Sequence, residues 1–167
     1  MMFDPLTLNP QYVEFLNKSP QERLYDLQQL GWAGYADVLT QMPLTATNVR
    51  CVAHLLESFP NTDPTSQFLD LAEADLSGLV LDGTHLIRAN LSGANLQGTR
   101  LMKADLRFAN LSGADLADAD LRGATLYQTV WIGAKVMGCR FDRSIGLTLK
   151  QSASLKRRGG LLKLAMP

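Results

Sequence analysis

A chain of 167 residues is long enough for one domain with an appendage, and 46% apolar against 19% charged residues excludes a disordered chain. The formal net charge is zero, so composition gives no pointer to nucleic acid or to an acidic membrane. The charge is nevertheless uneven: residues 1–68 hold seven acids and three bases, 69–143 nine and eight, and 144–167 no acid and five bases.

The opening MMFDPLTLNP has no basic n-region and no apolar h-region, so no signal peptide is expected. No stretch approaches the roughly 18 apolar residues of a membrane span. Cys51 and Cys139 stand far apart in a cysteine-poor chain, which fits a reducing compartment, and a cytoplasmic protein is expected.

Residues 1–68 read as a helical segment. A short helix is expected over 10–18. Ser19-Pro20-Gln21-Glu22 then forms a capping box with Pro at the first helical position. Leu24, Leu27 and Leu30 follow as its apolar face, and Gly31 is the stop. Two more helices are expected over 32–42 and 48–58, the second entered at Thr47 and ended before Pro60. The linker NTDPTSQ (61–67) leads into the next segment.

From Leu71 an apolar residue recurs at every fifth position for fifteen repeats: twelve Leu up to Leu126, then Trp131, Val136 and Phe141. A small residue stands two positions before the centre in thirteen of these repeats, and Gly stands two positions after it in eight. On a strand such centres would alternate between faces, and on a helix they would spread around the barrel. They share one interior only if the chain turns a corner in each repeat. With the centre as the first residue of a β-turn, Gly falls at the third, where a type II turn needs φ > 0. The bulky residues there, Arg88, Lys103, Phe108, Gln128 and Arg143, predict corners of a different type.

The words ADLSG, ANLSG, ANLQG, ADLRF, ADLAD and ADLRG within residues 74–123 resemble the A(D/N)LXX motif of pentapeptide-repeat proteins. The likeness covers residues 69–143 and extends to cyanobacterial members. It implies a mainly β fold, a right-handed quadrilateral β-helix with four repeats per coil. Fifteen repeats then make just under four coils, roughly 18 Å tall. A coil stack leaves open edges, so residues 1–68 are expected to cap one end. Leu69 and Leu79, which break the small-residue rule, would fill the space beneath that cap. At the other end Thr148-Leu149-Lys150-Gln151 is a second capping box. It opens a short helix that stops at Gly159 and places Arg157 and Arg158 at the negative end of its dipole. Residues 144–167 thus read as a capping helix with a basic tail, the last residues from Gly160 loose or docked.

Nothing resembles a phosphate loop, a zinc ligand set or a nucleophile elbow. No cofactor, metal site or catalytic residue is expected, and the chain reads as no enzyme. His54 lies in an expected helix. His85 faces outward with Asp105 one coil above, a pair read as a cross-coil hydrogen bond. Asp70, Asp75, Asp105, Asp115 and Asp120 occupy the outward slot of the motif, as repeat grammar. Arg100, Asp120 and Arg140, each twenty apart, are expected to stack as a ladder of alternating charge.

The function that remains is binding. A protein-interaction scaffold is the leading expectation, with self-association open as well. The site is expected on one face, where Ile87, Arg88, Arg107, Phe108, Tyr127 and Gln128 stack in two adjacent columns. The resemblance also admits a DNA-mimic inhibitor of an enzyme such as gyrase, but that role needs an acidic rod. A third reading is peripheral binding to nucleic acid or membrane through Lys150, Lys156, Arg157, Arg158 and Lys163.

Overall fold

The computed structural model describes residues 10–29, 36–43, 45, 48 and 68–163. The repeat segment forms a parallel β-helix. Twelve parallel bridges, from Asp70–Asn90 to Thr125–Ile145, join residues twenty apart, so four repeats close each circuit. The backbone ladder repeats with the same period. Leu96 N donates to Asp115 O (2.7 Å), Asp115 N returns to Ala94 O (2.9 Å), and the corner residue Gly98 N donates to Ala117 O (2.9 Å). The centres and most of the small residues before them are buried in one continuous core. The four faces are named below by their first centres, Leu71, Leu76, Leu81 and Leu86.

The small-residue positions occupied by Thr keep their hydroxyls satisfied inside. Thr84 Oγ1 donates to Leu81 O and Thr99 Oγ1 to Leu76 O, each at 2.8 Å. Near the top, Trp131 Nε1 donates to Thr129 Oγ1 (2.6 Å), which donates to Leu126 O (2.8 Å). Trp131 and Phe141 then meet edge to face, 5.7 Å apart.

The corners depart from the expectation drawn from residue size. Arg88, Lys103, Phe108, Gln128 and Arg143 all have φ between 58° and 63°. Glu73 and Asp118 share that conformation, at 60° and 57°, and the glycine corners lie close by. Every corner is therefore the same turn. A left-handed non-glycine residue costs roughly 1–2 kcal/mol, but below the last circuit each corner N–H is also a rung of the ladder. Phe108 N donates to Tyr127 O at 2.9 Å and Arg88 N to Arg107 O at 2.8 Å. A different turn would break that bond and throw the coils above and below out of register. The stack decides the dihedral. Gln128→Gly is therefore expected to hold or raise the melting temperature. Gly98→Val should lower stability by about 1–2 kcal/mol, although a Cβ there meets nothing within 4 Å. Thermal denaturation of the two variants checks this; equal melting temperatures would show that the dihedral carries no cost.

At the upper end the expected capping box is present. Thr148 N donates to Gln151 Oε1 (2.9 Å) and Gln151 N to Thr148 Oγ1 (3.2 Å), opening a helix over Leu149–Arg157. Its only buried residue, Leu155, points at the core. Gly159 follows at φ 92°. Arg158 stands at the C-cap of this helix, and its side chain turns to the last circuit. Its guanidinium donates to Trp131 O (3.0 Å) and Ala134 O (2.8 Å), while Gln151 Nε2 donates to Thr129 O (3.0 Å). Residues 159–161 dock along the third face: Leu161 N donates to Cys139 O (2.7 Å) and Phe141 N to Leu161 O (2.9 Å). Carbonyls left open by the last circuit are met by side chains and by this short segment. Residues 164–167 lie outside the described residues.

Three helices of the front segment are described, α1 (Pro10–Asn17), α2 (Pro20–Gln29) and α3 (Ala36–Leu39); the Leu149–Arg157 helix is α4. The Ser19–Glu22 capping box holds, with Ser19 N donating to Glu22 Oε2 (2.8 Å). Of the expected leucine face of α2, Leu24 is exposed. Arg23 is buried instead, 8% accessible, and donates to Leu16 O, to Lys18 O (3.0 Å) and to Met42 O (2.6 Å). Carbonyls left without an intrahelical partner at the end of α1 and beyond α3 need a donor, and one guanidinium supplies several. Leu30, Gly31, the linker 61–67, Cys51 and His54 lie outside the described residues, as does the side chain of Leu27. Of the helix expected over 48–58, only Asn48 is described.

Two carboxamides join this segment to the first circuit. Asn48 Oδ1 accepts from Asp75 N (2.8 Å) while its Nδ2 donates to Asp75 O (3.0 Å). Gln41 does the same at the next face, accepting from Val80 N (3.2 Å) and donating to Val80 O (2.9 Å). In higher circuits the coil beneath takes such groups, as Ala74 O does for Asn95 N. Each side-chain amide thus stands in for one rung of a coil that does not exist.

Candidate functional site

The outward Asp and Asn residues do local structural work. Asp75 Oδ1 accepts from Ser77 N (3.2 Å), Asp115 Oδ1 from Ala117 N (3.1 Å) and Asn110 Oδ1 from Ser112 N (3.1 Å). These are Asx turns that hold the second corner residue in place, which accounts for the frequency of Asp and Asn in the slot. Asn Nδ2 groups add lateral bonds to the circuit beneath, as from Asn90 to Asp70 Oδ1 (2.9 Å).

Two expected side-chain pairs are corrected. Asp105 does not bond His85 one coil below; its carboxylate takes a bidentate pair from Arg107 in its own repeat, with Nη2 at 2.7 Å. The same happens at Asp120, paired with Arg122 Nη2 at 2.7 Å. The Arg100–Asp120–Arg140 column exists as bridged backbone, but only the Asp120–Arg140 half of its charge ladder forms. Arg140 reaches Asp120 at only 3.7 Å, and Arg100 turns instead to Asp82. The physical reason is reach: an arginine two residues along the same corner can place both donors on one carboxylate. The Arg122 guanidinium holds the Asp120 carboxyl below its usual range. At Asp105, burial pushes the carboxyl up, but the bonds and charge of Arg107 outweigh it and the net shift is downward.

The expected binding residues all come together on the fourth face. Ile87 is half-buried, while Arg88, Arg107, Phe108, Tyr127 and Gln128 are exposed. Phe108 is 45% accessible and Tyr127 50%, so the described part of the front segment does not cover them. Their arrangement is more specific than the sequence indicated. The Arg88 guanidinium lies 4.9 Å from the centre of the Phe68 ring and 5.5 Å from that of Phe108. One cation is thus stacked between two aromatic rings along a corner column. Each such contact contributes about 0.5–1 kcal/mol at an exposed site. Phe68 was missed as a site residue. It stands twenty before Arg88, so extending the column one step below the first full repeat would have found it. Arg107 belongs to the face but its guanidinium is committed to Asp105.

The thiol of Cys139 is buried and burial pushes its pKa upward, so it is no nucleophile at neutral pH. Among the described residues no group of three or more His, Cys, Asp or Glu is placed to hold a metal ion, and no helix is long and apolar enough to cross a membrane.

Comparison with known proteins agrees with the repeat. The family profile described as Pentapeptide repeats (8 copies) matches residues 70–107 and 104–143. No curated protein shows a significant sequence match to the chain. Among solved structures the chain is similar to alr5209, a pentapeptide repeat protein from Nostoc PCC 7120. The identity is 36% over 67% of this chain and 95% of that one, with a TM-score of 0.37. It is also similar to HetL, a pentapeptide repeat protein involved in heterocyst differentiation regulation from the cyanobacterium Nostoc sp. strain PCC 7120. That identity is 32% over 48% of this chain, with a TM-score of 0.47, and the match spans only 38% of the HetL chain. With the five-residue period, the uniform corners, the Asx turns and a relative aligned over nearly its whole length, the chain belongs to the pentapeptide-repeat family, whose fold is a right-handed β-helix.

Proposed function

We propose that the chain is a non-catalytic interaction scaffold that binds a protein partner through the fourth face of its β-helix. In this reading the stack is just under four coils. Residues 1–68 close its lower end, and residues 144–167 close its upper end. The observation that carries the reading is the stacked trio Phe68, Arg88 and Phe108, with Tyr127 beside it. Aromatic rings and arginine are the residue types that dominate binding hot spots, and the stacked guanidinium is already held in one geometry. An exposed group of rings on a regular prism offers a partner apolar area and a cation together. Ile87, Arg107 and Gln128 border it.

Phe108→Asn and Tyr127→Ser are expected to weaken partner binding or self-association by about tenfold each. The melting temperature should hold, because both side chains are solvent-facing and Asn adopts φ > 0 more readily than Phe. Association is measured with the full chain by sedimentation and by pull-down with a defined partner. Unchanged association in the double variant would remove this face as the site. The DNA-mimic alternative is disfavoured by charge, since nine acids in 69–143 face eight bases. Peripheral binding through the tail is weakened too, because Arg158 is engaged with backbone carbonyls.

A further inference from the structure

The neutral repeat segment hides a segregation of charge. The first face carries only Asp70 and Glu73 among its outward and corner positions, and the second carries Asp75, Asp115 and Asp118 against one base, Lys135. The third face carries Arg100, Lys103, Arg122, Arg140 and Arg143 against Asp82, Asp120 and Asp142. Lys163 joins them, because its backbone N–H donates to Asp142 Oδ1 (3.0 Å) and ties the end of the chain to this face. One cleft is lined by Lys103, Arg122, Arg140, Arg143 and Lys163, with Asp142 as its only acid. At its centre the corner column runs Lys103, Gly123, Arg143. The missing side chain at Gly123 leaves a notch between two long cationic ones, and a Cβ built there would touch only Lys103 Cγ at 3.4 Å.

The cations differ in how far they are engaged. Arg122 is bidentate to Asp120, and Arg140 leans on the same carboxylate. The head groups of Lys103, Arg143 and Lys163 have no hydrogen-bond or ion-pair partner among the described residues, so their charge is open to a ligand. Two circuits separate Lys103 from Arg143, about 10 Å at the usual strand spacing. Carboxylates two residues apart in an extended peptide lie about 7 Å apart, within reach of both side chains. A polynucleotide is the poorer fit. Proteins that bind one strongly neutralise roughly six to ten phosphates, whereas three uncommitted cations stand here beside an acidic second face that would repel the rest of the strand.

We propose that this cleft is a docking site for an acidic, extended segment of a partner protein, with Lys103, Arg143 and Lys163 taking its carboxylates. It is a second surface, on a different face from the aromatic column and independent of it. Fluorescence anisotropy of the full chain with a labelled oligoglutamate peptide tests the proposal, alongside a single-stranded oligonucleotide of equal charge. The peptide should bind saturably, and more weakly as salt rises. Lys103→Asn with Arg143→Asn should reduce its affinity by about tenfold or more. The melting temperature should be unchanged, since Asn tolerates both left-handed corners. Lys150→Gln, outside the cleft, should leave binding intact. Absence of saturable peptide binding would overturn the proposal, as would equal binding by the double variant. Tighter binding of the oligonucleotide that is lost in the same variant would overturn it in favour of a nucleic-acid site.

Discussion

Leu96→Asp is expected to unfold the β-helix. Leu96 is fully buried and sits in the column of centres between Leu76 and Leu116, one circuit below and one above. Loss of the leucine packing alone costs about 2–5 kcal/mol, as for large-to-small changes in other cores. The carboxylate must then either ionise in an apolar interior or be kept protonated against its ordinary pKa, and each adds several kcal/mol. The sum approaches the roughly 5–15 kcal/mol by which whole domains are stable. One position along, Gln97 faces solvent and bonds Asp115 Oδ2 at 3.0 Å on the surface, so Gln97→Ala should change stability by less than about 0.5 kcal/mol. Circular dichroism and thermal melts of the two variants separate them. Similar melting temperatures would show that the interior is not closed as described.

Asn48→Ala is expected to be the most damaging truncation outside the repeat. Asn48 is 0% accessible, and its amide makes two bonds to Asp75 and one to Pro43 O (2.9 Å). Truncation leaves the N–H and C=O of Asp75 without partners at a covered edge, at about 1–3 kcal/mol for each unsatisfied group. A loss of about 2–6 kcal/mol follows. An exposed first circuit should also associate edge to edge, because unpaired strand groups are a template for another chain. Asn48→Asp keeps the acceptor but sets a buried carboxylate oxygen against the Asp75 and Pro43 carbonyls, so at neutral pH it should be at least as damaging as Asn48→Ala. Melting temperature and light scattering on the three proteins check the order; full stability of Asn48→Ala would refute the rung role.

The uneven reach of the sequence is clearest at the corners. The five-residue period placed each centre and the small residue before it inside the stack, because only those spacings let one chain fill one interior. Residue size pointed to two kinds of corner, and this failed at Phe108 and Gln128. Their φ values are decided by hydrogen bonds from residues twenty positions away, which no local preference records. Charge pairing held only for Asp120 with Arg140, for the opposite reason. The Arg100–Asp120–Arg140 column was legible, but Arg122 lies closer to Asp120 along the chain than either stacked arginine does across it.

By itself, then, the sequence determined the repeat, its inward and outward faces, both capping boxes, and the gathering of Ile87, Arg88, Arg107, Phe108 and Tyr127 on one face. The first three follow from periodicity or from contacts within a few residues, and the last also needs the four-repeat circuit that the family resemblance implies. Only the tertiary structure decided that Arg88 stacks between Phe68 and Phe108, and that Arg23 rather than Leu24 is buried. It alone decided that Asn48 and Gln41 replace missing rungs, that Arg158 serves coil carbonyls, and that Lys163 is brought beside Lys103 and Arg143. Each of these is a backbone or side-chain group left without a partner where a regular element ends, or a charge brought near by the stacking of coils. What meets such a group depends on which distant residue the fold carries past it, and that information is spread over the whole chain.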